Sequence, residues 1–217
     1  MALPLRQLLA AAPHLGSPAG ARQQVERWLR RIGRTGAGKA LRQGLAKAPI
    51  ARRVIEGIAE GSPFLWQLAT EHPPRLLRLL DGDPEAHFAA LLAEAAAGVA
   101  AAKDEAQAMQ RLRRLKAEAA LLIALADVGG VWPVLRVTRA LTELADTAIG
   151  AAVRFLLRAA MSEGRFAPPD PAQPELGSGY FVLAMGKMGA FELNYSSDVD
   201  LIVLFDPAAP ALDPALE

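Results

Sequence analysis

Apolar positions along the first 165 residues recur at helical spacing, and prolines and glycines divide them into segments of ordinary helix length. At two breaks, Ser62-Pro63 and Asp83-Pro84, a capping side chain precedes a proline. This order starts helices, because the side chain accepts from a free amide and proline needs no donor. The first of these helices is predicted to end near His72, because Pro73 disfavours helical geometry in the residue before it.

Two longer helices are predicted next. Residues 103–127 begin charged and end in AEAALLIALA, so this helix runs from the surface into the core, and Gly129-Gly130 ends it. Residues 133–161 repeat apolar side chains such as Leu141, Leu144 and Val153 at near-helical intervals, with Thr142 and Asp146 on the polar face.

The pattern changes after Gly164. Residues 166–179 are rich in proline and glycine and are typical of a linker or exposed loop. Two apolar runs follow, 180–185 and 199–205, which we predict to be buried strands joined by a glycine-containing turn. The chain is therefore predicted to be α+β and mostly α-helical. Two strands do not form a stable sheet alone, so we expect the complete sheet to need further strands.

Composition narrows the class of protein. The chain is 52% hydrophobic and 22% charged, as globular proteins are, and its net charge of +1 favours neither nucleic acid nor membrane as a partner. It has no cysteine, which excludes disulfides and thiol catalysis and is compatible with a reducing cytosol. No apolar stretch approaches the roughly 20 residues that span a bilayer. We expect a cytoplasmic protein.

The residues that suggest chemistry lie between 186 and 200. Gly186-Lys187-Met188-Gly189 directly follows a strand, where glycines let the backbone approach a phosphate and a lysine adds positive charge. Asp198-Val199-Asp200 opens the next strand, whose alternation predicts both carboxylates on one face and Val199 in the core. Two hard oxygen donors beside a phosphate site are suited to Mg²⁺ with a nucleotide.

Two basic clusters are interpreted as solvated helix faces. The first contains Trp28, which we expect in the core, so an interface with nucleic acid is not predicted there. The second lies in the first half of the helix at 103–127. Their members are Arg27, Arg30, Arg31 and Arg34, and Arg111, Arg113, Arg114 and Lys116.

The string from Gly186 to Leu201 resembles the polymerase beta-type nucleotidyltransferases, and within them the bifunctional glutamine synthetase adenylyltransferase/adenylyl-removing enzymes. Earlier segments, such as Ser62-Pro63-Phe64-Leu65 with His72-Pro73, are also similar to that family. The sequence departs from the family pattern at Met188, where leucine is usual, and at Ala190-Phe191, where glycine and often a basic residue are expected.

The resemblance implies an activity. Family members carry two catalytic domains, and a motif this early in the chain is similar to the deadenylylating one, in which phosphate attacks adenylyl-tyrosine of glutamine synthetase and releases ADP. It implies glutamine synthetase as protein substrate, the PII signal protein as regulator, Mg²⁺ as cofactor and ATP or ADP as substrate or product. The implied metal ligands and catalytic residues are Asp198 and Asp200; the implied phosphate-binding residues are Gly186, Lys187, Gly189 and Ser197, with Asn194 ordering the turn.

The superfamily also needs a third carboxylate from a later strand. We do not predict that Asp206 or Asp213 supplies it. We therefore expect a helical region at 1–165, a linker or loop at 166–179 and an incomplete catalytic domain at 180–217, inactive alone. Two alternatives stay open: a non-enzymatic helical module that binds a partner protein, and another nucleotidyltransferase such as PII uridylyltransferase.

Overall fold

The computed structural model describes residues 3–206 and 208–209, and Asp213 lies outside this part of the chain. The predicted α+β, mostly helical fold is confirmed. None of the described helices combines the length and apolar character that crossing a bilayer requires. The described elements are α1 (Leu5–Leu8), α2 (Pro18–Ile32), α3 (Gly36–Lys47), α4 (Pro49–Gly61), α5 (Pro63–Glu71), α6 (Pro73–Asp81), α7 (Pro84–Ala100), α8 (Glu105–Val128), α9 (Val134–Ser162), β1 (Tyr180–Ala184), α10 (Gly186–Gly189) and β2 (Leu201–Phe205).

The predicted helix starts are confirmed by their capping bonds. The amide of Leu65 donates to Ser62 Oγ at 3.2 Å, and the amide of Ala86 donates to Asp83 Oδ1 at 2.8 Å. Helix α8 ends at Val128, just before Gly130, whose φ of +67° is in the left-handed region that favours glycine. Local side-chain caps therefore fix the starts of α5 and α7, and a glycine follows the end of α8.

Two compact units are distinguished by their internal contacts. The first combines Met1–Leu91 with Lys116–Val137, and the second combines Leu92–Leu115 with Thr138–Glu217. In the first unit, residues 121–126 of α8 are buried. Side chains of α4 and α6 are also inaccessible; those at 0% exposure include Val54, Ile55 and Leu76. The sequence-based domain bounds, with a break at 165, stay a prediction.

An arginine stacked on aromatic rings stabilises the first unit. The guanidinium carbon of Arg136 lies 4.5 Å from the centre of the Trp132 ring and 5.2 Å from that of Phe88. The two rings meet edge to face at 5.9 Å. Arg136 also donates hydrogen bonds to the carboxylate of Glu85, from Nε at 3.0 Å and from a terminal nitrogen at 2.8 Å. The arginine thus combines stacking with a forked ion pair.

A second arginine neutralises a buried carboxylate. Glu56 is only 4% exposed, and Arg52 Nε donates to it at 3.0 Å. A terminal nitrogen of Arg52 contacts Glu26 at 2.5 Å. The hydrogen bond from Arg52 lowers the pKa of Glu26 below its ordinary value. Arg52 therefore links α2 to α4.

The second unit has its own apolar cluster, formed by Val99, Ala108 and Ala151 from three helices, with Leu112 and Phe155 against it. Residues 166–179 contain neither helix nor strand, but their side chains are not uniformly exposed. Phe166 and Ser178 are buried at 7% and 2% exposure. This segment is therefore anchored at both ends.

The strands form one antiparallel pair, with Tyr180 opposite Phe205 and Ala184 opposite Leu201. The prediction of two buried strands was wrong: every side chain of β2 is exposed, and Leu183 in β1 is 45% exposed. Their apolar character is compatible with burial, but no further strand pairs with them among the described residues. Hydrophobicity identified the strands without identifying what lies against them.

Candidate functional site

The site begins where β1 leads into α10. The predicted glycine turn is a single helical turn, Gly186–Gly189, held by two buried side chains, Met188 and Leu193, at 2% and 6% exposure. Gly186 has a φ of +56°, which favours glycine. A Cβ atom on Gly189 would lie 2.4 Å from the carbonyl oxygen of Ala184, so only glycine fits there. Both glycines are therefore required by the backbone itself.

Asp200 lies beside this bend. Its carbonyl oxygen accepts from the amide of Met185 at 2.9 Å, which extends the strand pairing by one step. A Cβ atom built on Gly186 would lie 3.5 Å from Asp200 Oδ2. The structure thus brings together Asp200 and Gly186, two residues that are separated by fourteen positions in the sequence.

Asp198 and Val199 lie in an extended segment that precedes β2, and both are exposed. The prediction that Val199 points into the core was wrong, since its side chain is 42% exposed. The reason is that β2 begins at Leu201, so residues 198–199 have no strand opposite them. The buried apolar anchor of this region is Leu193 instead.

Asn194 and Ser197 organise the turn before the two aspartates. The hydroxyl of Ser197 donates to Asn194 Oδ1 at 2.8 Å, and the amide of Ser196 donates to the same oxygen at 3.1 Å. The amide of Ser197 donates to the carbonyl of Asn194 at 3.3 Å. Asn194 therefore forms a side-chain turn that fixes the direction of the chain leading to Asp198.

Two exposed side chains flank the bend. Lys187 reaches solvent, while its carbonyl accepts from the amide of Glu192 at 2.8 Å. Phe191 has a φ of +58°, the positive value that glycine tolerates best, and its ring is 51% exposed. The phenylalanine is thus held in a strained backbone conformation by the turn around it.

A cleft of about 330 Å³ lies against the sheet on its α9 side. Ala184 and Leu201, which lie opposite each other in the sheet, both line the cleft. The charged residues that line the cleft are Asp146, Arg154 and Glu175. Sequence reasoning assigned no role to this cleft, because Glu175 lies in an irregular segment that gives no signal of where its side chain packs.

The pKa values of two carboxyl groups in the cleft are shifted in opposite directions. A hydrogen bond from Arg154 lowers the pKa of Glu175. Displacement of water by surrounding protein raises the pKa of Asp146, and the nearby charge of Glu143 adds to the effect. The cleft is therefore a mixed polar and apolar groove whose charged groups are partly paired.

Within residues 3–206 and 208–209, no three His, Asp or Glu side chains are grouped closely enough to hold a metal ion together. Asp198 and Asp200 are nevertheless exposed carboxylates, and Asp200 adjoins the glycine bend. Exposed carboxylate oxygens are the donors that Mg²⁺ prefers, usually with water and substrate phosphates as further ligands. The two aspartates fit such a cation as part of a larger ligand set.

Comparison with known proteins identifies related chains. The glutamate-ammonia ligase adenylyltransferase family matches residues 52–215. Proteins named bifunctional glutamine synthetase adenylyltransferase/adenylyl-removing enzyme are similar to the chain in Bradyrhizobium diazoefficiens, with 52% identity over 96% of this chain and 21% of the relative, and in Xanthobacter autotrophicus, with 57% identity over 75% of this chain and 16% of the relative.

A relative of the same name from Rhodopseudomonas palustris strain BisB5 is also 52% identical, over 96% of this chain and 21% of its own length. The chain thus spans about a fifth of the length of these relatives. No solved structure matches it. The family match covers most of the sequence, and it includes the bend and both aspartates. The chain belongs to the glutamate-ammonia ligase adenylyltransferase family.

Proposed function

We propose that these residues form part of the adenylyl-removing site of a glutamine synthetase-regulating enzyme. The observation that carries the proposal is the position of Asp200, whose carboxylate lies beside the glycine bend at Gly186. The relatives are named for both adenylyl transfer and adenylyl removal. Adenylyl removal is proposed on the resemblance to the deadenylylating domain alone.

In the proposed reaction, an oxygen of inorganic phosphate attacks the phosphorus of adenylyl-tyrosine. The bond from phosphorus to the tyrosine oxygen breaks, the tyrosine recovers its proton, and ADP leaves. Gly186 and Gly189 permit close approach of the phosphate groups, and Lys187 balances their charge. Ser197 and Asn194 hold the segment that carries the aspartates, consistent with their hydrogen bonds.

Asp198 and Asp200 would hold Mg²⁺, which supplies positive charge for the entering and leaving oxygens when it is bound. The acidic pair itself orients the ion and keeps it next to the bend. Glutamine synthetase is the proposed protein substrate and the cytoplasm the proposed location. The PII signal protein is a proposed regulator on the resemblance alone.

Nucleotide binding tests the proposal in the 217-residue chain. Asp198→Asn with Asp200→Asn should weaken Mg²⁺-dependent ADP binding by at least about tenfold, because each removed charge contributes roughly 1 kcal/mol or more. Asp206→Asn is the matched control, since its carboxylate accepts from the amide of Ala208 at the far end of β2. Titration calorimetry with and without Mg²⁺ measures the effect.

Unchanged ADP binding in the double variant would favour the helical partner-binding module instead. The direction of the reaction is tested in the longer family enzyme that carries these residues. There the same double substitution should abolish phosphate-dependent ADP release from adenylylated glutamine synthetase and spare AMP transfer from ATP. The reverse pattern would assign these residues to the adenylylating reaction.

A further inference from the structure

Positive charge is concentrated in one short part of the first unit. Residues 22–53 contain ten of the 24 lysines and arginines of the chain, but only one of its 23 aspartates and glutamates. That acidic residue, Glu26, is engaged by Arg52. The rest of the chain is therefore net acidic, and the overall charge of +1 conceals a strongly basic segment.

The arginines of α2 and of the turn after it lie along one face. Arg27, Arg30, Arg31 and Arg34 are all exposed. At about 100° per residue, the three that lie within α2 fall inside an arc of roughly 100°. The opposite face carries Val25, Trp28 and Leu29, which are buried at 3% exposure or less. Packing of that apolar face thus fixes the direction in which the arginines point.

Helix α3 adds cations next to this face. Arg42 donates to the carbonyl of Leu29 at 3.0 Å, which joins α3 to the last turn of α2. A Cβ atom on Gly33 would lie 3.1 Å from the same guanidinium, so the two helices are in close contact there. Lys39, on α3, is exposed. We call six exposed cations of α2, α3 and the turn between them the basic face; its members are Arg27, Arg30, Arg31, Arg34, Lys39 and Arg42.

The exposed arginines of α2 do not stabilise the fold. Like charges one helical turn apart, such as Arg27 and Arg31, destabilise a helix by about 0.2–0.5 kcal/mol per pair. The apolar side of α2 supplies its packing without them. We propose that the basic face is a docking surface for a carboxylate-rich segment of a partner protein.

The chemistry of the face favours carboxylates on a protein over single-stranded nucleic acid. Guanidinium groups bind carboxylates in a forked geometry, and an acidic helix presents carboxylates at matching intervals of three and four residues. A single-stranded nucleic acid would need exposed aromatic rings for stacking. The aromatic residue within α2, Trp28, is 3% exposed and packs edge to face on Trp66 at 5.6 Å.

The test is independent of the proposed catalysis, since it uses the 217-residue chain and no nucleotide. A poly-glutamate peptide is the probe, with a DNA duplex and anionic lipid vesicles of phosphatidylserine as competing polyanions. Poly-glutamate should bind at low salt and dissociate as salt is raised. Arg27→Glu with Arg31→Glu should reduce the affinity by at least about tenfold, because two attractive charges become repulsive.

Lys103→Glu with Arg113→Glu is the matched control, because it reverses two exposed cations in the second unit. It should leave the affinity within about twofold. The Arg27 and Arg31 variant should also unfold at the same or a higher temperature, which a structural role for the arginines would not allow. Equal losses in both variants, tighter binding of the duplex or vesicles, or no binding of poly-glutamate at low salt would each overturn the proposal.

Discussion

Asp200 and Gly186 are in close proximity across the bend: a Cβ atom on Gly186 would lie 3.5 Å from Asp200 Oδ2, an ordinary contact distance. Alanine at position 186 would therefore fit sterically. It would nevertheless be strained, because Gly186 has a φ of +56°. A Gly186→Ala variant therefore tests the effect of the backbone conformation without a steric clash.

We predict that Gly186→Ala destabilises the bend by about 1–2 kcal/mol, the strain of a left-handed residue that carries a Cβ atom. Hydrogen exchange at the amide of Met185, which donates to Asp200, should become about tenfold faster. Gly150→Ala in α9 is the control, since an added methyl there meets nothing within 4 Å. Equal exchange rates in the two variants would contradict the strain at Gly186.

For Phe191 we predict the opposite effect on stability, because here glycine is introduced instead of removed. Because its φ is +58°, Phe191→Gly should stabilise the turn by about 1 kcal/mol relative to Phe191→Ala, which keeps the strain and also removes the ring. The comparison is made by thermal unfolding followed by far-ultraviolet circular dichroism. If the alanine variant proves the more stable, the turn does not hold this residue in a left-handed conformation.

The pairing of Glu26 with Arg52 predicts a dependence of stability on pH. The pKa of Glu26 is lowered from the ordinary value of 4.5, chiefly by the hydrogen bond from Arg52. The stabilisation is thus fully present above pH 4.5 and is lost as the pH falls through the lower, folded-state pKa.

Glu26→Gln should therefore lower the unfolding midpoint in urea at pH 7, and the difference from the natural sequence should close at acidic pH. Tryptophan fluorescence measures it. Glu71→Gln is the control, because Glu71 accepts from the neutral side chain of Gln67. A gap between Glu26→Gln and the natural sequence that persists below the folded pKa would show that the charge of Glu26 is not its source.

Arginine at position 136 should not be replaceable by lysine. Arg136→Lys loses the fork to Glu85 and the flat contact with Trp132, so we expect a loss of about 1–2 kcal/mol in unfolding free energy. Arg139→Lys should change stability by less than about 0.5 kcal/mol, since its partner Glu143 lies one turn away at the surface. Urea titration compares them, and equal losses would exclude a special role for stacking.

Exposed apolar side chains on one face of the sheet predict that the chain associates with itself. Leu183, Met185, Ile202 and Leu204 alternate onto one face and are 40–45% exposed. We expect the 217-residue chain to bind a hydrophobic dye and to self-associate in sedimentation. Leu183→Lys with Ile202→Lys should reduce both, because two charges interrupt the exposed apolar face. Val134→Lys with Leu156→Lys, on exposed helix positions, should not, and a monomeric natural sequence would contradict the prediction.

Sequence reasoning succeeded where structure is set locally. Ser62 and Asp83 predicted helix starts because a cap acts within three residues, and the apolar run before Gly129 predicted a buried helix end. It failed where burial of a side chain depends on residues that are distant in the sequence. The burial of Val199 depends on what lies opposite it, and alternation alone does not supply that information.

The candidate site shows the same division. The family motif identified Gly186 and Asp200, and the structure places them side by side. The left-handed conformation of Phe191 had no sequence signal except the departure from glycine nearby. The roles of Asp198, Asp200, Lys187 and Ser197 in binding stay predictions.

The first unit is assembled from two separated stretches of chain, and its earliest residues bond to its latest. The amides of Ala10 and Ala11 both donate to the carbonyl of Gly129, at 2.9 and 3.0 Å. During synthesis, this anchor therefore cannot form until Gly129 has left the ribosome. Completion of the first unit is thereby delayed, and a nascent chain that stalls near residue 100 would expose an unfinished interior to chaperones.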